Sequence, residues 1–145
     1  MNIIISPYII AIACAWFVAQ GLKYLVSSLQ NHSFKRSLRQ FYLSGNMPSA
    51  HSAAVVALLV VIGAKEGVDS AIFGLTALFS AIVMYDAVMV RRSSGEQGEA
   101  ITKMIIQTKS KINLPRVAKG HTPLEVMAGA LVGATVGIIV ILSTS

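Results

Sequence analysis

Gly45-Asn46-Met47-Pro48-Ser49-Ala50-His51-Ser52-Ala53 leads straight into an apolar run over residues 53–64. A proline at a helix start is well tolerated, because the N–H it lacks would have no partner there anyway. The free N–H groups of the first turn, with the positive end of the helix dipole, make an anion site. His51 within that turn is placed to exchange a proton with an anion held there. For this stretch alone two readings stay open: a capped helix start with a chance histidine, or one half of a reactive site. Under both, a polar loop feeds an apolar helix.

The rest of the chain has the same character. Of its 145 residues, 54% are apolar and only 12% charged, and the mean hydropathy is +0.69. Soluble domains carry about a quarter charged residues. Several apolar runs of about 20 residues instead indicate a polytopic membrane protein. The net charge of +6 then reports orientation and anionic head groups, and no nucleic-acid partner is expected. Cys14 stands alone inside an apolar run, which excludes a disulfide framework and a Cys-based zinc site. The N-terminus has no basic segment ahead of its apolar stretch and reads as a retained first span.

Hydropathy divides the chain into spans over residues 3–25, 48–64, 71–90 and 123–142, within a single integral-membrane domain covering 1–145. Residues 31–47 read as a basic loop, and Lys65-Glu66-Gly67-Val68-Asp69 as a tight connection between antiparallel helices. Arg91-Arg92 closes the third span. In the segment that follows, Ile101, Met104 and Ile105 alternate with Lys103 and Lys109, which predicts a helix over 99–109 lying along the interface. The expected fold is an all-α membrane protein: a bundle of about four transmembrane helices, plus an interfacial amphipathic helix in the loop before the last span. Of the 12 Lys and Arg residues, only Lys65 falls on the side opposite the two long loops. The positive-inside rule therefore places the loops in the cytoplasm and both termini across the membrane. The setting is a bacterial-type plasma membrane or an organelle membrane.

The polar residues that interrupt the apolar pattern gather at one face. Lys23 ends the first span, His51 opens the second, Asp86 and Arg91-Arg92 close the third, and His121 opens the fourth. An antiparallel bundle brings these ends within side-chain reach of one another, and ionisable groups at membrane depth are functional candidates. Gly120-His121-Thr122-Pro123-Leu124-Glu125 repeats the logic of the opening stretch. If the helix includes His121, Glu125 four residues on can accept from one ring nitrogen and leave the other as a lone pair facing the site. Alternatively, Thr122 or His121 caps the helix and Glu125 supports its first turn. Lys23 is either a snorkelling anchor or a phosphate ligand, and Gln20, one turn earlier on the same face, is a weaker candidate. Asp86 fits a structural pairing with an arginine. Gly129, Gly133 and Gly137 form a small-residue row that fits a close helix contact, within the chain or in a homo-oligomer. The sequence shows no metal-ligand spacing and few carboxylates, so no metal and no cofactor are expected. Two histidines, several cations and helix N-termini together suit a phosphate ligand and metal-free phosphoryl transfer.

Met47-Pro48-Ser49-Ala50-His51-Ser52, Asp86-Ala87-Val88-Met89-Val90-Arg91-Arg92 and Gly120-His121-Thr122-Pro123-Leu124-Glu125-Val126 together resemble the divergent small-membrane-protein branch of the type 2 phosphatidic acid phosphatase and vanadium haloperoxidase superfamily. The resemblance implies a nucleophilic His121 that forms a phosphohistidine, oriented by Glu125, and a His51 that protonates the leaving oxygen and then activates water. It implies phosphate binding by Ser49, Lys23 and Arg91 or Arg92, with Ala50 and Asp86 in support. The chain departs from the wider superfamily in four places: Gln30 stands where an arginine follows the lysine, Leu114-Pro115 where Ser-Arg precedes the histidine, Ala50 for glycine and Glu125 for aspartate. Met89 and Gly98 stand where the divergent branch has Gly and Ala.

The expected function is an acid-phosphatase-like membrane phosphohydrolase acting on a prenyl or glycerolipid phosphate or pyrophosphate. The alternatives are a non-catalytic protein that binds anionic lipids or assembles with a partner, and a lipid phosphotransferase. Its expected partners are the phosphorylated lipid and the surrounding membrane lipids.

Overall fold

The computed structural model describes residues 6–30, 47–115, 117 and 120–144. The basic loop with His32, Lys35, Arg36 and Arg39, as well as Arg116 and Lys119, lies outside them. All regular structure among the described residues is helical: α1 (Pro7–Gln30), α2 (Ala50–Lys65), α3 (Ala71–Tyr85), a π-helical segment (Asp86–Val90), α4 (Arg91–Gln107) and α5 (Pro123–Ser143). Three stretches are long and apolar enough to cross a membrane: Pro7–Leu29, Ala71–Gln107 and Pro123–Ser143. α2 is equally apolar but has only 16 residues, about 24 Å at 1.5 Å per residue, against a hydrocarbon core of ~30 Å.

The starts of α2, α3 and α5 carry side-chain caps. Ser49 caps α2 by accepting the Ser52 N–H at 3.4 Å. Ser70 caps α3 by accepting from the Phe73 N–H at 3.2 Å, and Thr122 caps α5 with Pro123 behind it. Between α2 and α3, Gly67 takes φ +86°, the left-handed position such a short connection needs. The third helix departs from the expected boundary. It does not stop at Arg91-Arg92 but runs through the π-helical segment into α4, so the amphipathic stretch starts at Arg91 and continues the third span. Arginine is a good helix former and no proline intervenes before Pro115, so the backbone has no reason to break where the side chains turn polar.

Short α2 is the centre of the bundle and packs against α5, α1 and α3. Its neighbours meet it with small residues. Ala11, Ala15 and Ala19 on α1 are fully buried, as are Ala53, Ala57 and Val61 on α2. Small residues let membrane helices approach closely, which is where packing energy comes from in lipid. The glycine row of α5 is the tightest contact. A Cβ added at Gly129 would lie 2.3 Å from the Ser49 carbonyl oxygen, and one at Gly133 2.2 Å from that of Ala53. One at Gly137 would meet Ala57 O at 3.1 Å. Positions 49, 53 and 57 thus oppose 129, 133 and 137 in step, so α2 and α5 run parallel with both N-termini at the same end. The row is filled within the chain. At the opposite end the Tyr8 hydroxyl donates to Glu66 and Lys65 Nζ to Thr144 O at 3.3 Å. α1 starts beside the end of α2 and runs past the start of α2, continuing seven residues beyond Lys23, roughly 10 Å. The N-terminus of α2 therefore lies short of the end of α1.

Candidate active site

The candidate site is built from two helix starts. At α5, Glu125 Oε2 accepts the Thr122 N–H at 2.9 Å while Thr122 Oγ1 accepts the Glu125 N–H at 3.3 Å, a complete capping box. The same Oε2 lies 3.1 Å from His121 Nδ1. His121 precedes the cap rather than lying inside the helix, so the helical spacing argument does not apply. The two readings of Glu125 nevertheless hold together, because one carboxylate oxygen serves both the cap and the imidazole. A carboxylate acceptor at Nδ1 places the ring proton there and leaves a lone pair on Nε2. Nε2 makes no hydrogen bond among the described residues. His121 is 6% exposed. Burial pushes its imidazole below the ordinary value, with the charges of Lys23 and His51 acting the same way, while the Glu125 hydrogen bond opposes them.

At α2, Ser49 is fully buried and its Oγ accepts from Ser52 Oγ at 2.9 Å as well as from the Ser52 N–H. Its own hydroxyl proton remains to be donated. The Ser49 N–H donates to Glu125 O at 3.0 Å, which ties the two helix starts directly together. Ala50 is buried behind them and His51 is exposed toward the open face.

The π-helical segment completes the site. Its wide turn brings residues five apart together, and Asp86 Oδ2 pairs with Arg91 Nε at 2.6 Å. From within the segment, Ala87 O accepts the His121 N–H at 2.9 Å. π-helical turns inside α-helices occur frequently at functional sites. Gly120 seats this contact, since a Cβ there would lie 2.4 Å from Arg92 N. The charges of Arg91, Lys23 and Asp86 all reach His51, and that of Glu125 reaches Lys23. The structure thus gathers Lys23, His51, Asp86, Arg91, His121 and Glu125 within charge reach of one another at one end of the bundle. Arg92 pairs with Glu96 at 3.2 Å and lines a cavity of about 240 Å³ together with Gly120, His121 and Thr122.

Sequence reasoning missed Ser52, Ala87 and Gly120. Ser52 reads as a continuation of the serine-rich start, and Ala87 acts only through its carbonyl. Gly120 was visible as part of a motif, but its tight fit against Arg92 was not.

Three long apolar helices around a short central one, with a histidine pair at one end, define an all-α integral membrane protein with a polar cluster at one end of the bundle. The sequence profile of the Divergent PAP2 family matches residues 5–136, and the chain belongs to that family. It is similar to the uncharacterized membrane protein YuiD of Bacillus subtilis (strain 168), at 35% identity over 138 residues, 85% of this chain and 84% of that protein. No solved structure matches the chain.

Proposed function

We propose that the protein is a lipid phosphate phosphohydrolase working through a phosphohistidine. The observation that carries this reading is the buried His121, held by Glu125 at Nδ1 with Nε2 free, beside Lys23 and His51. The family relationship supports it. In the first step Nε2 attacks phosphorus, the bond to the leaving oxygen breaks, and protonated His51 gives its proton to that oxygen. In the second, His51 takes a proton from water, the oxygen attacks phosphorus, the P–N bond breaks and orthophosphate leaves. Glu125 stabilises the positive imidazole in between. Lys23 and Arg91 neutralise the phosphate oxygens while Ser49 donates to one of them. At the helix ends the phosphate reaches His121 while the tail stays among lipid.

The test is orthophosphate release by the purified protein from a panel of glycerolipid and prenyl phosphates and diphosphates. Release that vanadate inhibits and EDTA leaves unchanged is the expected result, and loss of activity in EDTA counts against the mechanism. The pH profile gives a second check. The attacking form of His121 is neutral and its folded-state value is lowered, so that form persists down through the ordinary value of 6.5. The acid limb of kcat/KM is expected below pH 6.5, and a limb centred above it contradicts the assignment.

On the charge distribution, the site faces the cytoplasm. A cysteine introduced at exposed Ser94 in a Cys14→Ser background is expected to resist impermeant maleimide added to intact cells. Labelling from outside reverses the orientation.

A further inference from the structure

The cavity of about 240 Å³ beside His121 has no part in the chemistry proposed above. One wall is a single face of α4 carrying Arg92, Glu96 and Glu99, spaced at i, i+4 and i+7. The other is the approach to α5, with Gly120, His121 and Thr122. The two walls are held together. Gly120 fits against the Arg92 backbone with no room for a Cβ, and the His121 N–H is bonded to Ala87 O. His121 is only 6% exposed, and its Nε2 makes no hydrogen bond among the described residues. A group so enclosed is reached through the space that adjoins it, and this cavity does.

The charges on the α4 wall limit what enters. Arg92 is paired with Glu96 at 3.2 Å, while Glu99 has no hydrogen bond or ion pair among the described residues. Two carboxylates against one guanidinium do not attract a phosphate, for which Lys23 and Arg91 are better suited. Carboxylates accept hydrogen bonds, so the occupant is a polar donor. α4 begins at Arg91, where the apolar run ends, and Glu96 and Glu99 are exposed, so this wall is within reach of water. A hydrocarbon tail meets none of these conditions. An ammonium group suits the charge but has no lone pair with which to attack phosphorus. A neutral hydroxyl suits both the lining and the reaction.

We propose that this cavity holds the second substrate, a water molecule or a small vicinal diol, and that Glu99 accepts a hydrogen bond from it. The proposal rests on the phosphohydrolase reading, because it needs a phosphohistidine to attack. When water attacks, one proton passes to His51 and the oxygen bonds to phosphorus. The P–N bond breaks, its electron pair returns to Nε2 of His121, and the hydrogen donated to Glu99 stays on orthophosphate. In a diol the attacking hydroxyl gives its proton to His51 while the neighbouring hydroxyl donates to Glu99, and the product is a phosphate monoester. A monoalcohol has no second hydroxyl to offer.

The test follows radiolabelled phosphate through full-length protein in detergent, using phosphatidic acid or farnesyl phosphate, whichever the unaltered protein turns over faster. Rapid quenching into alkali, which preserves phosphohistidine, separates its formation from its breakdown. Glu99→Ala is expected to slow breakdown about tenfold and leave formation within twofold, so that labelled protein accumulates. Glu99→Gln, which keeps the shape without the charge, gives an intermediate effect and preserves the comparison if the alanine variant misfolds. In the unaltered protein, ethylene glycol diverts more label into a phosphate ester than ethanol does at equal concentration, and Glu99→Ala loses that preference. Three results overturn the proposal: formation and breakdown slowed together, breakdown unchanged, or ethanol as good an acceptor as ethylene glycol. An unaltered protein that forms no phosphohistidine removes the hydrolase and this proposal together. A phosphohistidine whose breakdown ignores Glu99 removes the proposal alone.

Discussion

Alanine in place of His121 is expected to abolish orthophosphate release from every lipid phosphate the protein turns over, by a factor on the order of 10⁴ or more, while leaving lipid phosphate binding in place. The size of the effect follows from the atom removed. In the proposed mechanism Nε2 is the atom that bonds to phosphorus, and the Nε2 of His121 is the one the Glu125 contact leaves with its lone pair. His51 has no carboxylate hydrogen-bonded to it among the described residues and cannot take over the same geometry. The fold should survive, because His121 lies ahead of the Thr122 cap and Glu125 Oε2 keeps the Thr122 N–H. A circular dichroism spectrum and melting curve close to those of the unaltered protein check this point. Full turnover in the variant would remove both the hydrolase and the phosphotransferase, since both pass through the phosphohistidine. The hydrolase and the phosphotransferase separate on adding a lipid alcohol, which diverts phosphate into a new ester only in the second. Selective binding with no turnover in either protein identifies a lipid-binding or assembly role.

The sequence made the outline of this molecule legible and left its internal geometry hidden, for physical reasons that differ by element. Hydrocarbon demands long apolar helices, so 71–90 and 123–142 appear as spans, and the helices there start at Ala71 and Pro123. The candidate site residues stand out for the same reason, because His51, Asp86 and His121 interrupt otherwise apolar runs. Backbone contacts carry no such mark. The Ala87 carbonyl that holds the His121 N–H and the Ser49 N–H that meets Glu125 O are invisible as residue types, yet they fix where the imidazole sits. Adjacent Arg91 and Arg92 look equivalent in sequence. The structure gives them different partners, Arg91 with Asp86 across the π-helical turn and Arg92 with Glu96. The glycine row was legible as a close contact, but its partner was not, since a small-residue stripe does not say which helix it faces.

That row supplies the other large effect. Gly133→Ala is expected to lower stability by about 1–3 kcal/mol or more and to reduce turnover about 100-fold. The added Cβ would sit 2.2 Å from Ala53 O and 2.9 Å from Ala53 C and Cα, all of them backbone. No side chain can rotate away, so relief comes only from moving α5 off α2. Because these two helices run parallel with 49, 53 and 57 opposite 129, 133 and 137, the contact sets the register of their N-termini as well as their distance. A shift at Gly133 therefore travels one turn to Gly129, Ser49 and the link from Ser49 N–H to Glu125 O, and it separates His51 from His121. Gly74 provides the control, with nothing within 4 Å of an added Cβ. Gly74→Ala should be neutral or stabilise by about 0.5–1 kcal/mol through helix propensity alone. Melting curves in detergent and phosphate release measured on both variants decide the matter. If Gly133→Ala behaves like Gly74→Ala, the register of α2 and α5 is not what aligns the two histidines. If it melts earlier and loses turnover while Gly74→Ala does neither, the active geometry depends on a backbone contact at Gly133, more than two helical turns from the start of α5.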